Sequence, residues 1–268
     1  MTATLPEGLD HNAVRAALEA AADAAAVKTL SGFRTPLAVD NKLESGFDPV
    51  TAADRDAEIA IRQVLSHRFP DFGIIGEEWD AKTSSGAFDW IVDPIDGTRA
   101  YISGVPVWGT LIGLMHKGRA VAGMMAQPFT GESWIGIGGE TQFRRGSERK
   151  SVRVSTVTDL AKAKMSATSP DLFSGSGTTD VFARLKEATL LCRWGLDCYA
   201  YCLLASGHFD LVVEPGLKNV DIAPLVPVIE NAGGIVTTWT GAPPELGGNI
   251  IAAATPELHR AAMAILNS

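Results

Sequence analysis

The stretch that decides the reading is Asp89-Trp90-Ile91-Val92-Asp93-Pro94-Ile95-Asp96-Gly97-Thr98. Trp90 to Val92 is a short apolar run of the kind that fills a strand. Asp93 stands at its end, Pro94 withdraws a backbone donor from any ladder, and Gly97 permits a sharp turn that brings Asp96 round. Two carboxylates and the Ile95 carbonyl can then face one point. Such an all-oxygen set suits hard divalent cations such as Mg²⁺, which also take phosphate oxygens. Alone, the pair would equally serve to begin a turn or cap a helix.

Two further junctions carry the same chemistry. Gly76-Glu77-Glu78 follows the apolar run Phe72 to Ile75, and Asn219-Val220-Asp221 precedes an apolar helical stretch. Separately, Glu77 and Glu78 read equally as solvated loop charges and Asp221 as an N-cap. If Glu77, Asp93, Asp96 and Asp221 converge, their repulsion and desolvation would be prohibitive without cations, so convergence itself implies a metal cluster.

Outward from these junctions, His11 to about Leu30 reads as an amphipathic helix capped by Asp10, with Val14, Leu18 and Ala22 on its apolar side. A polar stretch from Ser31 to Pro49 reads as loop or short ribbon. A second helix begins near Thr51, where Thr-Ala-Ala-Asp has capping-box spacing; Ile59, Val64 and Leu65 give it an apolar side, and it ends before Pro70. Val107 to Met115 and Ala120 to Met125 read as strands, and Val152 to Ser155 and Lys164 to Ala167 continue this β-rich middle. Beyond it, helices are expected at Val181 to Ala188, Asp197 to Ser206 and Ile222 to Asn231. Strands are expected at Phe209 to Val213, Ile235 to Trp239 and Ile250 to Ala253, before a last helix from Pro256. The basic loop Arg144 to Lys150 is the best candidate seam, dividing 1–147 from 148–268.

The whole-chain properties narrow the class. In 268 residues there are 23 basic and 31 acidic side chains, a formal charge of -8, which argues against broad affinity for nucleic-acid phosphates. Cys192, Cys198 and Cys202 are too few and wrongly spaced for a disulfide framework or zinc ribbon, which suggests a reducing compartment. No leader pattern and no long apolar run stand out, so a cytoplasmic protein without membrane association is expected. His11, His67, His116, His208 and His259 show no pairing at ligand spacing. Trp90, Trp108, Trp134, Trp194 and Trp239 fall in contexts that suit core or interface packing.

Taken in order, Asp48-Pro-Val-Thr-Ala-Ala-Asp54, Gly76-Glu-Glu78, Trp90 to Thr98, Asp221 and Gly233-Gly234 resemble the motifs of the inositol monophosphatase family of Mg²⁺-dependent phosphatases, over roughly residues 10 to 265. Gly97 to Thr110, Gln127-Pro128, Thr168 to Phe173, Asp197 to Gly207 and Val213 to Lys218 resemble its histidinol-phosphate phosphatase branch. Pro215 and Asn219-Val220 depart from that branch, where a small polar residue and an aromatic would be usual. The resemblance implies a layered αβαβα sandwich, an α+β N-terminal half with most metal ligands and an α/β C-terminal half supplying Asp221, and a homodimer.

It also implies roles. Glu77, Asp93, the Ile95 carbonyl, Asp96 and Asp221 would hold two or three Mg²⁺ ions. Asp54 and Thr98 would orient and deprotonate the attacking water, and Gly97 and Thr98 N–H groups would meet phosphate oxygens. Glu78 would be an outer helper or a solvated charge. Asp197 and Glu214 would face the positively charged part of a small phosphate ester, L-histidinol phosphate, although Asp197 also stands where it would cap a helix. Alternatives are an inositol monophosphatase or broad phosphatase of the same fold, and a metal-binding or oligomerisation module without catalysis. An aspartyl-nucleophile phosphatase is disfavoured by the spacing of Asp93 and Asp96, and no serine-hydrolase elbow or P-loop occurs.

Overall fold

The computed structural model describes residues 5–6, 8–36, 38–41 and 49–268; Asp48, with residues 37 and 42–47 of the polar stretch expected as loop, lies outside the described residues. Helix α1 (His11–Gly32) starts at Asp10, whose carboxylate accepts from Asn12 N. A two-residue ribbon, β1 (Asp40–Asn41) with β2 (Pro49–Val50), leads to α2 (Ala52–Arg68). The capping box closes as expected: Asp54 Oδ2 accepts from Thr51 N at 2.9 Å and from Thr51 Oγ1 at 2.6 Å. The apolar face of α2 differs from the expected one. Ala53, Ala57, Ile61 and Leu65 are buried at helical spacing, whereas Ile59 falls on the outer side, 39% exposed.

Among the described residues a seven-stranded sheet then runs in sequence order: β3 (Gly73–Gly76), β4 (Phe88–Asp96), β5 (Gly109–His116), β6 (Arg119–Gln127), β7 (Glu132–Ile137), β8 (Glu140–Arg145) and β9 (Glu148–Ser151). Only the β3–β4 pair is parallel. Helix α3 (Thr98–Ile102) leaves the end of β4. The basic stretch Arg144 to Lys150 is therefore a β8–β9 hairpin rather than a loop. Val152 to Ser155 is not a strand, since its pairing is limited to single bonds such as Val154 N to Ala232 O. Lys164–Ala167 is a strand, β10, but it opens a second sheet rather than continuing the first.

That second sheet has the order β11-β10-β12-β14-β13, built from β10, β11 (Leu191–Trp194), β12 (Leu211–Leu217), β13 (Ile235–Thr238) and β14 (Gly248–Ala253). Helices α4 (Pro170–Ser176), α5 (Thr179–Ala188) and α6 (Asp197–Ala205) interleave with it. The helix expected over Ile222 to Asn231 is two: α7 (Asn219–Ile222) and α8 (Leu225–Glu230), because Pro224 interrupts the run. Helix α9 (Pro256–Leu266) closes the chain.

Side-chain alternation sorts these elements into layers. Trp90, Val92, Ile112, Leu114, Met124 and Ile135 face α1 and α2, while Ile91, Leu111, Met125 and Trp134 face the opposite way, toward α6 and α8. Val212, Ile250 and Ala252 of the second sheet share that inner core; Leu211, Val213, Ile251 and Ala253 pack outward with Phe182, Leu185, Leu258 and Ala262 of α5 and α9. The result is the αβαβα sandwich. Helix α8 approaches the first sheet over bare backbone: a Cβ at Gly123 would stand 1.9 Å from Pro224 O, and one at Gly136 2.2 Å from Pro227 O. That contact fixes the depth at which the preceding turn, α7, presents Asp221. No helix among the described residues is long and apolar enough to cross a membrane.

Candidate active site

Strand β4 carries the first carboxylates. Its pairing with β5 runs in register to Asp93 opposite Leu111, then slips before Asp96 meets Gly109. Within the slip, Pro94 O accepts from Thr110 Oγ1 at 2.8 Å and Asp93 Oδ1 accepts from Ile95 N at 2.9 Å, so the irregular backbone is satisfied. Gly97 follows at φ 83°, a left-handed value that suits glycine. Tyr101 of α3 donates to Thr29 O at 2.7 Å and packs tilted against Phe33 and edge-on to Trp108, which pins the turn to α1.

Asp221 arrives from α7, its Oδ2 accepting from Lys218 N at 2.7 Å. Asp93, Asp96 and Asp221 each offer an oxygen, all within 4.8 Å of one another. Burial pushes the Asp93 carboxyl well above the ordinary range, and the charges of Glu77, Asp96, Asp221 and Asp54 push it the same way. Asp96 is raised by burial, then by Asp221 and Asp197, with Cys198 opposing; its Oδ2 accepts from Cys198 N at 2.9 Å. An oxygen-only set of like charges, with Asp93 buried and Asp96 and Asp221 half-buried, is what a hard divalent cation would neutralise, so these residues fit one.

Glu77 sits at the end of β3 on the rim of the same cleft. Its Oε1 pairs with Lys218 Nζ at 2.9 Å, and the three aspartates come together without it. The loop that carries it is braced by Glu58, wholly buried, which accepts from Arg62 Nε at 2.7 Å and from Glu78 N at 2.8 Å. Asp54 is 2% exposed and held by Thr51 as above. The Thr98 hydroxyl, expected to reach toward Asp54, here donates to Ile95 O at 3.0 Å. That carbonyl keeps a second lone pair.

The cleft, about 460 Å³, is lined by Glu77, Asp93, Ile95, Asp96, Thr98 and Asp221, with Gly97 and Asp197 among its other walls. A recess of about 110 Å³ continues from it past Asp96, Asp197 and Asp221 to Glu214. Asp197 is the first residue of α6, at φ 45°, and Leu196 rather than Asp197 is the capping residue. Burial lifts its carboxyl to about 6, against Thr168 and Arg99. Glu214, on β12 and 3% exposed, accepts from Thr168 Oγ1 at 2.6 Å; burial raises it to about 8 despite that bond.

The structure thus gathers Asp93, Asp96, Asp221, Asp197 and Glu214 around one continuous space, with Glu77, Gly97 and Thr98 on its wall. The sequence assigns no role to Thr168 or Glu58, and marks Lys218 only as part of the Val213 to Lys218 motif that separates the histidinol-phosphate branch from inositol-cleaving members. Thr168 had a signal, the strand-end position before Ser169-Pro170, where Ser169 caps α4. Glu58 had none beyond an acid on an otherwise buried helical face.

The model of the inositol monophosphatase family matches residues 10–268. The bifunctional phosphatase IMPL2 of Arabidopsis thaliana, a chloroplastic protein, is 38% identical over 255 residues, covering 91% of this chain and 72% of that one. The histidinol-phosphatase of Streptomyces coelicolor is 34% identical over 271 residues, covering 98% and 99%. Among solved structures, an inositol monophosphatase from Zymomonas mobilis superposes with a TM-score of 0.85 at 37% identity, covering 97% of this chain and 100% of the other.

Proposed function

Because the chain belongs to the inositol monophosphatase family and is a phosphoric monoester hydrolase of that metal-dependent kind, we propose that its substrate is L-histidinol phosphate, cleaved to histidinol and phosphate in histidine biosynthesis. The observation that carries the choice of substrate is the recess. Two acidic side chains, Asp197 and Glu214, stand beside the aspartate triad where the leaving alcohol would lie, and histidinol offers an ammonium and an imidazole to them. An inositol ester carries no positive group for them to meet.

In this reading Glu77, Asp93, the Ile95 carbonyl, Asp96 and Asp221 would hold two or three Mg²⁺ ions. Bound there, divalent cations lower the pKa of water and offset the charge of the phosphoryl group. Asp54, immobilised by the Thr51 cap, takes the proton of the attacking water, and Thr98 orients that water. Gly97 and Thr98 N–H groups meet phosphate oxygens as the group inverts, with no phosphorylated side chain. Asp197 and Glu214 hold the alcohol in line. The same proposal divides the chain into a ligand-bearing N-terminal part and a C-terminal part supplying Asp221 and the recess. We place the seam in 152–163, between the two sheets, since β9 still belongs to the first. A homodimer in the cytoplasm completes it.

A side-by-side assay with Mg²⁺ on histidinol phosphate and inositol 1-phosphate, with EDTA as control, tests the reading. Preference for histidinol phosphate is expected; preference for the inositol ester would overturn the substrate, and a rapid-quench trap of phosphorylated protein would overturn the mechanism.

A further inference from the structure

The chain has three tyrosines, and two of them spend their hydroxyls on protein acceptors: Tyr101 donates to Thr29 O and Tyr199 to Glu132. Tyr201 does not. It is 2% exposed, and its hydroxyl has no hydrogen-bond partner among the described residues. An enclosed O–H without a partner is costly, and a folded chain keeps one where something else is to pair with it. The indole N–H groups of Trp90 and Trp108 are also unpaired, but neither residue lines the cleft or the recess, whereas Tyr201 lines the recess together with Glu214.

The position follows from the helix. Tyr201 stands four residues after Asp197 on α6, so both side chains share one face, one turn apart. Asp197 is nearer the cleft and borders both spaces; Tyr201 borders the recess alone. The remaining walls are mixed, with Leu172 and Leu217 apolar, and Thr168 already committed to Glu214.

We propose that Tyr201 is a specificity-determining residue whose hydroxyl hydrogen-bonds a ring nitrogen of an imidazole seated in the recess, with Glu214 as the second polar contact. The proposal rests on the histidinol phosphate reading above and names the part of the site that recognises the ring. An imidazole has apolar faces and a polar edge, which matches Leu172 and Leu217 set against the Tyr201 hydroxyl and the Glu214 carboxyl, with the other three carboxylates of the recess toward the cleft. A cyclitol presents hydroxyls on every side and would leave several of them against leucine. A phenol both donates and accepts, so it pairs with the ring nitrogen in either protonation state.

Tyr201→Phe deletes the hydroxyl and leaves the ring. The ratio of kcat/KM for histidinol phosphate to that for 2-glycerophosphate, which has no ring, should fall at least about tenfold, chiefly through KM for histidinol phosphate. Histidinol itself should bind more weakly by a similar factor in calorimetry. Because the deleted group has no hydrogen-bond partner among the described residues, Tm in EDTA should stay the same or rise. A ratio within about twofold of wild type, or equal losses on both esters with a lowered Tm, would overturn the assignment. If the wild-type protein prefers inositol 1-phosphate, the substrate reading falls and this inference with it. If the wild type prefers histidinol phosphate and Tyr201→Phe keeps the ratio to 2-glycerophosphate within about twofold of wild type, the inference alone falls.

Discussion

Replacing Asp221 with Asn removes one of three carboxylates whose oxygens lie within 4.8 Å of one another, while Asn can still accept the Lys218 N–H that the aspartate holds. At that separation and an effective dielectric of about 20, each pair of full charges repels by about 3.5 kcal/mol. Asp221 belongs to two such pairs, with Asp93 and with Asp96. Protonation relieves much of this, since burial and neighbouring charge hold both partners well above the ordinary carboxylate range. The metal-free variant should therefore be more stable than wild type by about 1–3 kcal/mol, a rise of about 3–9 °C in Tm for a chain of this size. Added Mg²⁺ should act in the opposite sense. Wild type gains stability as the logarithm of the ion concentration above Kd, and the variant should lose most of that gain together with phosphatase activity. Differential scanning calorimetry in EDTA and across a Mg²⁺ titration reads both effects. A variant less stable than wild type in EDTA, or one that keeps the full Mg²⁺-induced shift, would refute the triad as a cation site.

Three other outcomes follow from the same geometry. Asp197→Ala should raise KM for histidinol phosphate at least about tenfold and that for a neutral phosphate ester far less, because only the first loses an ionic partner; equal losses would remove the recognition role. Glu214, raised on folding to about 8 from an ordinary 4.5, stabilises the fold when protonated, so its contribution is complete below about 4.5 and is lost as pH rises toward 8. Urea denaturation in EDTA should accordingly show a shallower loss of stability between pH 5 and pH 8 in Glu214→Gln than in wild type, and parallel profiles would contradict it. Gly123→Ala puts a methyl 1.9 Å from Pro224 O, so a loss of about 2–3 kcal/mol is expected, with weaker Mg²⁺ binding in calorimetry as α8 shifts; an unchanged Tm would show that α8 is free to move.

What was legible in the sequence was legible because single residue types leave few options. Pro94 and Gly97 punctuate β4 so that Asp93 and Asp96 fall at its end, and Thr51 with Asp54 writes a helix start four residues long. The hairpins β7–β8–β9 were not legible, because Ser133, Gly136, Gln142 and the polar, mostly charged residues 144–150 give little apolar alternation, and their order comes from pairing with β6. Val152 to Ser155 has the right composition for a strand and lies instead as a connector against Ala232. Reading Ile222 to Asn231 as one helix ignored Pro224, and the break it makes is what lets α7 aim Asp221 separately from α8. The Lys218–Glu77 pair and the Tyr201 position depend on how the two sheets face each other across α6 and α7, which no local pattern encodes.

The division of the triad between β4 and α7 has a bearing on how the protein is made. On the ribosome Asp93 and Asp96 emerge long before Asp221, so a nascent chain has only part of the proposed cation site. A partial set of carboxylates binds weakly and releases what it takes. On the proposed reading a cation would be retained only once the later sheet has formed and docked, so its capture would mark a finished molecule.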